Sequence, residues 1–570
     1  MVKFLIGLVT GVALVFLTIF LLFFTLLRFR EKPPAIADNS VLVLRLTGEL
    51  PEKPPVELPD FLSSAPPPVT VTGIWRALNS AAGDAHIRAV VLQPEGLSAG
   101  WAKLQELRMD VEKFRKSGKP VYAYLRQPGT REYYVASAAD RVILGPSEPL
   151  MLKGLRAELM YFKKTLEKIG VSIEVEHAGK YKDFGDMFTR TDMSPETREV
   201  ITSVVDDLYA GLVNGIATGR KKSPDEVRAI IDQGPFTATD ALKAGLVDAL
   251  LFEDQMWGEL KDRLKIGDAK KVSLGTYSKV PPPGAKTQIA LVIGQGDILP
   301  GNPGDDGAGE SALTSYGFNH LLRLIENDSV IKGVVVRIDS PGGAVNASDE
   351  IWRQMNLLSK KKPVVISMSD AAASGGYYMA MTGDPIVAYP ATLTGSIGVV
   401  FGKPNLHGLY DKLGISKDSI QRGRHAGIDS DYTSLSPEER QKLKDGIDET
   451  YRDFVTKVAD GRHRKFEEIE PLSQGRVWLG SQAKARGLVD EVGGLDTAVE
   501  LLKQKMKIAA SERVGIQMYP AKRSLIDILM RKSQEDMLEV KVRQVMGRVP
   551  FQAWMRGGYL RLMPFALEVR

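Results

Sequence analysis

Short unbroken apolar runs recur along this chain with helical spacing between them. Val41-Leu-Val-Leu44, Ala89-Val-Val-Leu92 and Val121-Tyr-Ala-Tyr-Leu125 each have the length and composition of a buried strand. Between the second and third, Leu104, Leu107, Val111 and Phe114 fall on one helix face. Strands alternating with helices predict an α/β domain with βαβ crossovers. Pro33-Pro34 reads as a short stiff linker, and Pro51 to Val69, with seven prolines, reads as a loop wrapping the surface.

Beyond Val280-Pro-Pro-Pro-Gly284 the pattern starts again. Ile289-Ala-Leu-Val292 corresponds to Val41–Leu44, Val334-Val-Val336 to Ala89–Val91, and Lys362-Pro363 to Lys119-Pro120. Tyr377-Tyr378 with Asp384 repeats Tyr133-Tyr134 with Asp140 at an offset of 244 residues. Met193-Ser-Pro-Glu196 and Gly245-Leu-Val-Asp248 return as Leu435-Ser-Pro-Glu438 and Gly487-Leu-Val-Asp490 at an offset of 242. This is an internal duplication, and a unit of that length makes a tandem pair of domains rather than a solenoid. The predicted organisation is an anchor at 4–27, domains at 39–280 and 285–505, and a basic extension at 506–570.

Phe4 to Leu27 is a run of 24 residues without a charge. At about 1.5 Å per helical residue it is long enough to cross a hydrocarbon layer of about 30 Å. A secretory signal peptide has a shorter apolar region and a convincing small-x-small cleavage site, so the run reads as an uncleaved transmembrane helix. Composition narrows the rest. The 570 residues are 44% hydrophobic and 25% charged, an ordinary globular mixture. The absence of cysteine excludes a disulfide scaffold, a thiolate metal site and a cysteine nucleophile. A net charge of +5 is too even for a nucleic-acid binder, and residues 521–570, with ten Lys/Arg against five Asp/Glu, account for the excess.

The two copies differ where chemistry is to be sought. In the second, the strand Val364–Met368 runs through small residues into Ser374-Gly-Gly-Tyr-Tyr-Met-Ala380. That places Ser374 near a helix amino terminus, where backbone N–H groups favour developing negative charge. Gly375 and Gly376 allow close approach of a carbonyl, and a second glycine turn, Asp339-Ser-Pro-Gly342-Gly343, offers another free N–H. Two such donors would make an oxyanion hole; by spacing alone, each is also a plain turn. A nucleophilic serine needs a base. None of the six histidines has triad or metal-motif spacing, whereas a buried neutral lysine could serve, and Gly179-Lys180-Tyr181-Lys182 follows the β-like segment Val171–His177.

Taken together, Ala373-Ser-Gly-Gly-Tyr-Tyr378, Asp339-Ser-Pro-Gly-Gly343, Leu393-Thr-Gly-Ser396-Ile-Gly-Val399 and Gly179-Lys-Tyr-Lys182 resemble the signal peptide peptidase A family in its long, duplicated form, over roughly residues 40–500. The resemblance implies two tandem ClpP/crotonase-like α/β domains preceded by one transmembrane helix. It implies a serine–lysine dyad peptidase that degrades cleaved signal peptides, without cofactor or metal. It further implies an inner-membrane protein with an extracytoplasmic body, a homotetramer, and apolar peptides and lipid as partners. Carried over by position, Ser374 would be the nucleophile, Lys182 the general base, and Ser396 the residue that orients the lysine. Gly375 with Gly342 or Gly343 would form the oxyanion hole, and Lys180 stands as the alternative base.

Short members of that family carry serine and lysine in one domain. Here the counterpart of Ser374 in the first copy is Thr130, followed by Arg131 and Glu132, and the counterpart of Lys182 in the second is Arg424. Arginine stays protonated and cannot act as a base. Each copy has kept one half of the dyad, as a site shared between domains requires. The rival readings are an inactive peptide-binding scaffold and a crotonase-type acyl-CoA enzyme.

Overall fold

A computed structural model describes residues 34–53, 69–282, 284–301, 312–520, 559–563 and 568–569, with eight positions between 3 and 18. Most of the anchor at 4–27, of the proline-rich loop 51–69, of the loop 300–310 and of the tail 521–570 lies outside the described residues. Within the anchor, Gly7, Thr10, Gly11, Leu14, Val15, Leu17 and Thr18 are described, and all are helical and exposed.

The first half carries β1 (Ser40–Gly48), β2 (Ile87–Leu97), β3 (Val121–Leu125), β4 (Arg141–Leu144), β5 (Ala157–Glu158), β6 (Ser172–Ala178), β7 (Ala249–Leu250) and β8 (Lys270–Ser273). The second half begins with β9 (Thr287–Gln295), β10 (Ile298–Leu299), β11 (Leu313–Thr314), β12 (Ile331–Ser340), β13 (Gly342–Ala344), β14 (Val364–Ala373), β15 (Ile386–Ala388) and β16 (Leu393–Gly395). It continues with β17 (Val399–Asn405), β18 (Val477–Leu479), β19 (Glu491–Val492), β20 (Val514–Tyr519), β21 (Tyr559–Leu562) and β22 (Glu568–Val569).

In the first domain a parallel sheet runs β7-β4-β3-β2-β1-β8. Successive side chains of a strand face opposite sides. Leu42, Leu44, Val90 and Leu92 therefore enter one core. Val41, Ala89, Val91 and Tyr122 meet Met256, Trp257 and Leu260 of helix Glu253–Leu264 on the other side. A sheet covered on both faces explains why its strands read as continuous apolar runs. The second domain repeats this as β19-β15-β14-β12-β9-β20, all parallel, and adds β16 beside the end of β14 with β18 antiparallel to it; Ala290, Val292, Val334 and Val336 lie on one side and Ile289, Leu291 and Val335 meet Leu495, Ala498 and Leu502 on the other. β20, inside the stretch read as an extension from 506, pairs in parallel with β9 as β8 pairs with β1.

The duplication extends to individual hydrogen bonds. Tyr133 Oη donates to Leu246 O at 2.7 Å, and Tyr377 Oη to Leu488 O at 2.7 Å. Asp248 accepts from Val142 N at 2.7 Å and pairs with Arg220; Asp490 accepts from Ile386 N at 2.8 Å and pairs with Arg462. Ser194 and Ser436 each cap a long helix whose first residue is proline. The helix from Ser194, Pro195–Arg220, is long and apolar enough to cross a membrane, yet Val200, Val204, Leu208, Leu212 and Ile216 pack into the first-domain core.

A third sheet, β11-β10-β13-β21-β17-β6, joins the halves. β6 of the first domain lies antiparallel to β17 of the second, from Ser172 opposite Asn405 to Ala178 opposite Val399. Buried charges form a second junction. Arg337 on β12, 0% exposed, donates to Glu52 Oε1 at 2.9 Å and to Glu106. Glu52 thus opens the proline-rich stretch inside the protein rather than on its surface, because this arginine has no water to turn to. Burial pushes the Glu106 carboxyl up to about 6, Arg337 pulling against it. For Glu52 burial acts the same way, but Arg337 and Lys103 outweigh it and hold the carboxyl below its ordinary value. Removing one partner from a buried pair leaves an uncompensated charge. Arg337→Met should therefore destabilise the chain by about 3–5 kcal/mol. Urea denaturation measures this, and a loss under about 1 kcal/mol would contradict the assignment.

Candidate active site

Ser374 stands between the end of β14 and the short helix Gly375–Met379. The segment read as a turn of small residues is strand up to Ala373, because Ala371–Ala373 pair with Leu393–Gly395 of β16. Ser374 has φ 53° and ψ −114°, and its N–H donates to Gly395 O at 2.8 Å. A non-glycine residue held there is strained, a state that persists where the surroundings impose it. Ser396, with φ 50°, is the second such residue at the site.

Lys182 arrives from the other domain. Four residues past the end of β6, its Nζ lies 2.8 Å from Ser374 Oγ, 2.8 Å from Ser396 Oγ and 3.0 Å from Ser396 O. The side chain is fully buried. Its stem runs past backbone: a methyl on Gly475, whose φ is +77°, would stand 2.6 Å from Lys182 Cβ. Ser396 N donates to Arg476 O at 2.8 Å and Tyr181 N to Gln474 O at 2.8 Å, so the 474–476 turn ties the lysine loop to the Ser396 loop. Lys180 is exposed, with its Nζ over the Tyr181 ring at 4.6 Å, and is not at the site. Arg424 is also far into solvent, its side chain 78% exposed.

The two glycine turns lie side by side. A methyl on Gly375 would stand 3.2 Å from Gly343 N and 2.5 Å from Ser348 Oγ. Gly342 N already donates to Ser340 Oγ at 3.2 Å, so of the two candidates Gly343 is the one whose N–H lies beside Gly375. A serine hydroxyl against a buried amine, beside two backbone N–H groups, can perform nucleophilic attack on a carbonyl and stabilise the resulting oxyanion.

In the first domain the equivalent position is closed. Glu132, counterpart of Gly376, accepts from Leu97 N at 2.5 Å and from Gly129 N at 2.9 Å, so a carboxylate takes up the N–H groups of that turn. Two further groups at the site had no signal in the motifs. Asp370 accepts from Gly100 N at 3.1 Å and Lys103 N at 3.0 Å, capping helix Trp101–Arg115 across the domain boundary. Lys103 Nζ pairs with Asp339 Oδ2 at 2.7 Å and Asp370 Oδ2 at 3.4 Å, fastening the ends of β12 and β14. A lysine and two aspartates in separate segments look like surface charges until the fold brings them together.

A strained serine bonded to a lysine amine on this duplicated scaffold defines a serine peptidase of ClpP-like fold. The family model for peptidase family S49 matches residues 113–267 and 356–509, and the Clp protease model matches 311–393. The chain is 34% identical over 506 residues to the chloroplastic serine protease SPPA of Arabidopsis thaliana, covering 87% of this chain and 73% of that protein. It is 33% identical over 477 residues to Protease 4 of Salmonella typhi, covering 80% and 75%. To a putative signal peptide peptidase SppA of Enterococcus faecium it is 35% identical over 207 residues, covering 35% and 60%. The chain belongs to peptidase family S49.

Beside Lys182, Asp183 is buried, hydrogen-bonded to Thr197, and its carboxyl is pushed up to about 7 by burial. The folded chain holds a proton there that the unfolded carboxyl, near 3.8, has released. This contribution to stability is complete below the unfolded value and is lost as pH rises toward the folded one. Between pH 5 and pH 7 wild type should lose stability relative to Asp183→Asn by up to about 1.4 kcal/mol per pH unit. Urea midpoints of both proteins at the two pH values check this, and parallel shifts would contradict it.

Proposed function

We propose that this serine peptidase is a membrane-anchored endopeptidase that degrades extended apolar peptides, cleaved signal peptides foremost, through a Ser374–Lys182 dyad contributed by its two domains. The observation that carries this reading is the 2.8 Å contact between Lys182 Nζ and Ser374 Oγ inside a buried site. Burial disfavours the charged form of an amine. A neutral Lys182 keeps two N–H groups for Ser396 Oγ and Ser396 O and turns its lone pair to the Ser374 hydroxyl.

The steps follow. Ser374 Oγ attacks the peptide carbonyl while Lys182 takes its proton, and the oxyanion is held by the N–H groups of Gly375 and Gly343. The ammonium returns the proton to the leaving amine, and water, deprotonated by the same amine, hydrolyses the acyl-enzyme. The peptide substrate class is supported by the family and by the name of the Enterococcus relative, and the anchor by the uncharged run 4–27 with its described helical positions.

The test is hydrolysis of a leucine-rich signal-peptide mimic by detergent-solubilised protein. Ser374→Ala and Lys182→Met should each lower kcat by at least about 10³-fold with unchanged circular dichroism. A wild type as inert as both variants across pH 7 to 9 would favour the scaffold reading instead, and retained activity in Lys182→Met alone would remove the lysine from the mechanism.

A further inference from the structure

A column of alternating cations and rings stands behind the dyad and crosses the domain boundary. Lys180 Nζ lies over the Tyr181 ring at 4.6 Å and Arg476 Cζ over the same ring at 4.9 Å. Arg476 Cζ also lies over Trp478 at 4.5 Å, and Arg486 Cζ over Trp478 at 4.0 Å. Lys180 and Tyr181 belong to the first domain, the other three to the second. Arg476 is the middle member, and its guanidinium also pairs with Glu199 on helix Pro195–Arg220 of the first domain. That carboxylate accepts from Tyr181 Oη at 3.1 Å, and the bond from Arg476 holds its carboxyl below the ordinary value, so it stays charged in neutral buffer. A planar guanidinium can stack on rings while its edge binds a carboxylate, which a lysine ammonium cannot.

The two ends of Arg476 reach the two sides of the dyad. Its carbonyl accepts from Ser396 N at 2.8 Å, and beside it Gly475 N donates to Ile397 O at 2.8 Å. These bonds continue the pairing of Gly395 with Val477 beyond β18 and fix Ser396 at φ 50°. A residue held in that region depends on its surroundings to stay there. Ser396 in turn supplies the Oγ and the carbonyl that receive Lys182 Nζ, at 2.8 and 3.0 Å. At the other end the guanidinium holds Tyr181, the residue immediately before Lys182. Arg476 thus grips both the residue that aims the lysine and the neighbour that delivers it.

We infer that Arg476 is a positioning residue of the dyad: its stacked guanidinium and its carbonyl together set the approach of Lys182 Nζ to Ser374 Oγ across the domain boundary. This rests on the dyad proposed above. Misplacing a reacting group by about 1 Å can cost roughly 10²-fold in rate. Such a loss falls on kcat, since no contact to substrate is removed.

The experiment measures kcat and KM for a short apolar peptide with the full chain in detergent, and follows thermal unfolding of each protein. Arg476→Met should lower kcat roughly 10- to 100-fold with KM within about twofold of wild type. Since Arg476 and Ser396 place the same amine, Arg476→Met combined with Ser396→Ala should cost little more than the worse single change. Arg476→Lys keeps the charge without the planar fork; it should lower kcat at least about threefold, and it carries the test if Arg476→Met does not fold. Wild-type kcat in the folded Arg476 variants, or losses that multiply in the double variant, would overturn the inference while leaving the dyad in place. Full activity of Lys182→Met in the same series would overturn the dyad and the inference with it.

Discussion

Everything at this site depends on the antiparallel ladder between β6 and β17. The two sheets of the duplicated domains are complete without each other, but the site is not. Pairing Ala178 with Val399 puts the next residues of the first domain, ending in Lys182, against the loop that holds Ser396. The lysine then has one course open, along the backbone of Gly475 to the hydroxyl of Ser374. A ladder of seven opposed residues resists slippage, since a one-residue shift would turn every side chain of β6 to the other face.

Buried charge holds the two sheets in the relation that the ladder needs. Arg337 with Glu52 and Glu106, and Lys103 with Asp339 and Asp370, span the domain boundary. Such groups add little net stability over apolar packing, because leaving water costs each ion several kcal/mol. They are demanding about position, however, and Asp339 and Asp370 lie at the ends of the strands that carry the Gly342–Gly343 turn and Ser374. Asp339 Oδ1 also accepts from Ala371 N at 3.2 Å, tying one active-site strand to the other. Geometry at the nucleophile is thus fixed from the domain that supplies the base.

Much of this was legible in the chain. The duplication could be read because Tyr133 and Tyr377 occupy equivalent sites and make equivalent hydrogen bonds to Leu246 and Leu488, which constrains both copies alike. Alternation cannot separate Lys182 from Lys180, which are two residues apart and would share a face; the choice rests on the position after Gly-x-Tyr, and the turn at 179–181 leaves Lys180 exposed while Lys182 is buried. Other features left no periodic trace. β13, β21 and β10 are two to four residues long, and β13 meets Ile298 of β10 45 residues before Gly343 and Leu562 of β21 220 residues after Gly342. Glu52, Glu106 and Lys103 look like solvated charges in any local window, and β20 looked like part of a tail because its partner β9 lies more than 200 residues earlier.

The central claim is that an amine from the first domain activates the serine of the second. The most direct measurement is the rate at which a fluorophosphonate labels the intact protein, with the modified residue located by mass spectrometry. A single adduct on Ser374, forming at least about 10²-fold faster in wild type than in folded Lys182→Met, is the result this account predicts. An adduct on another residue, or equal rates in the two proteins, would contradict it.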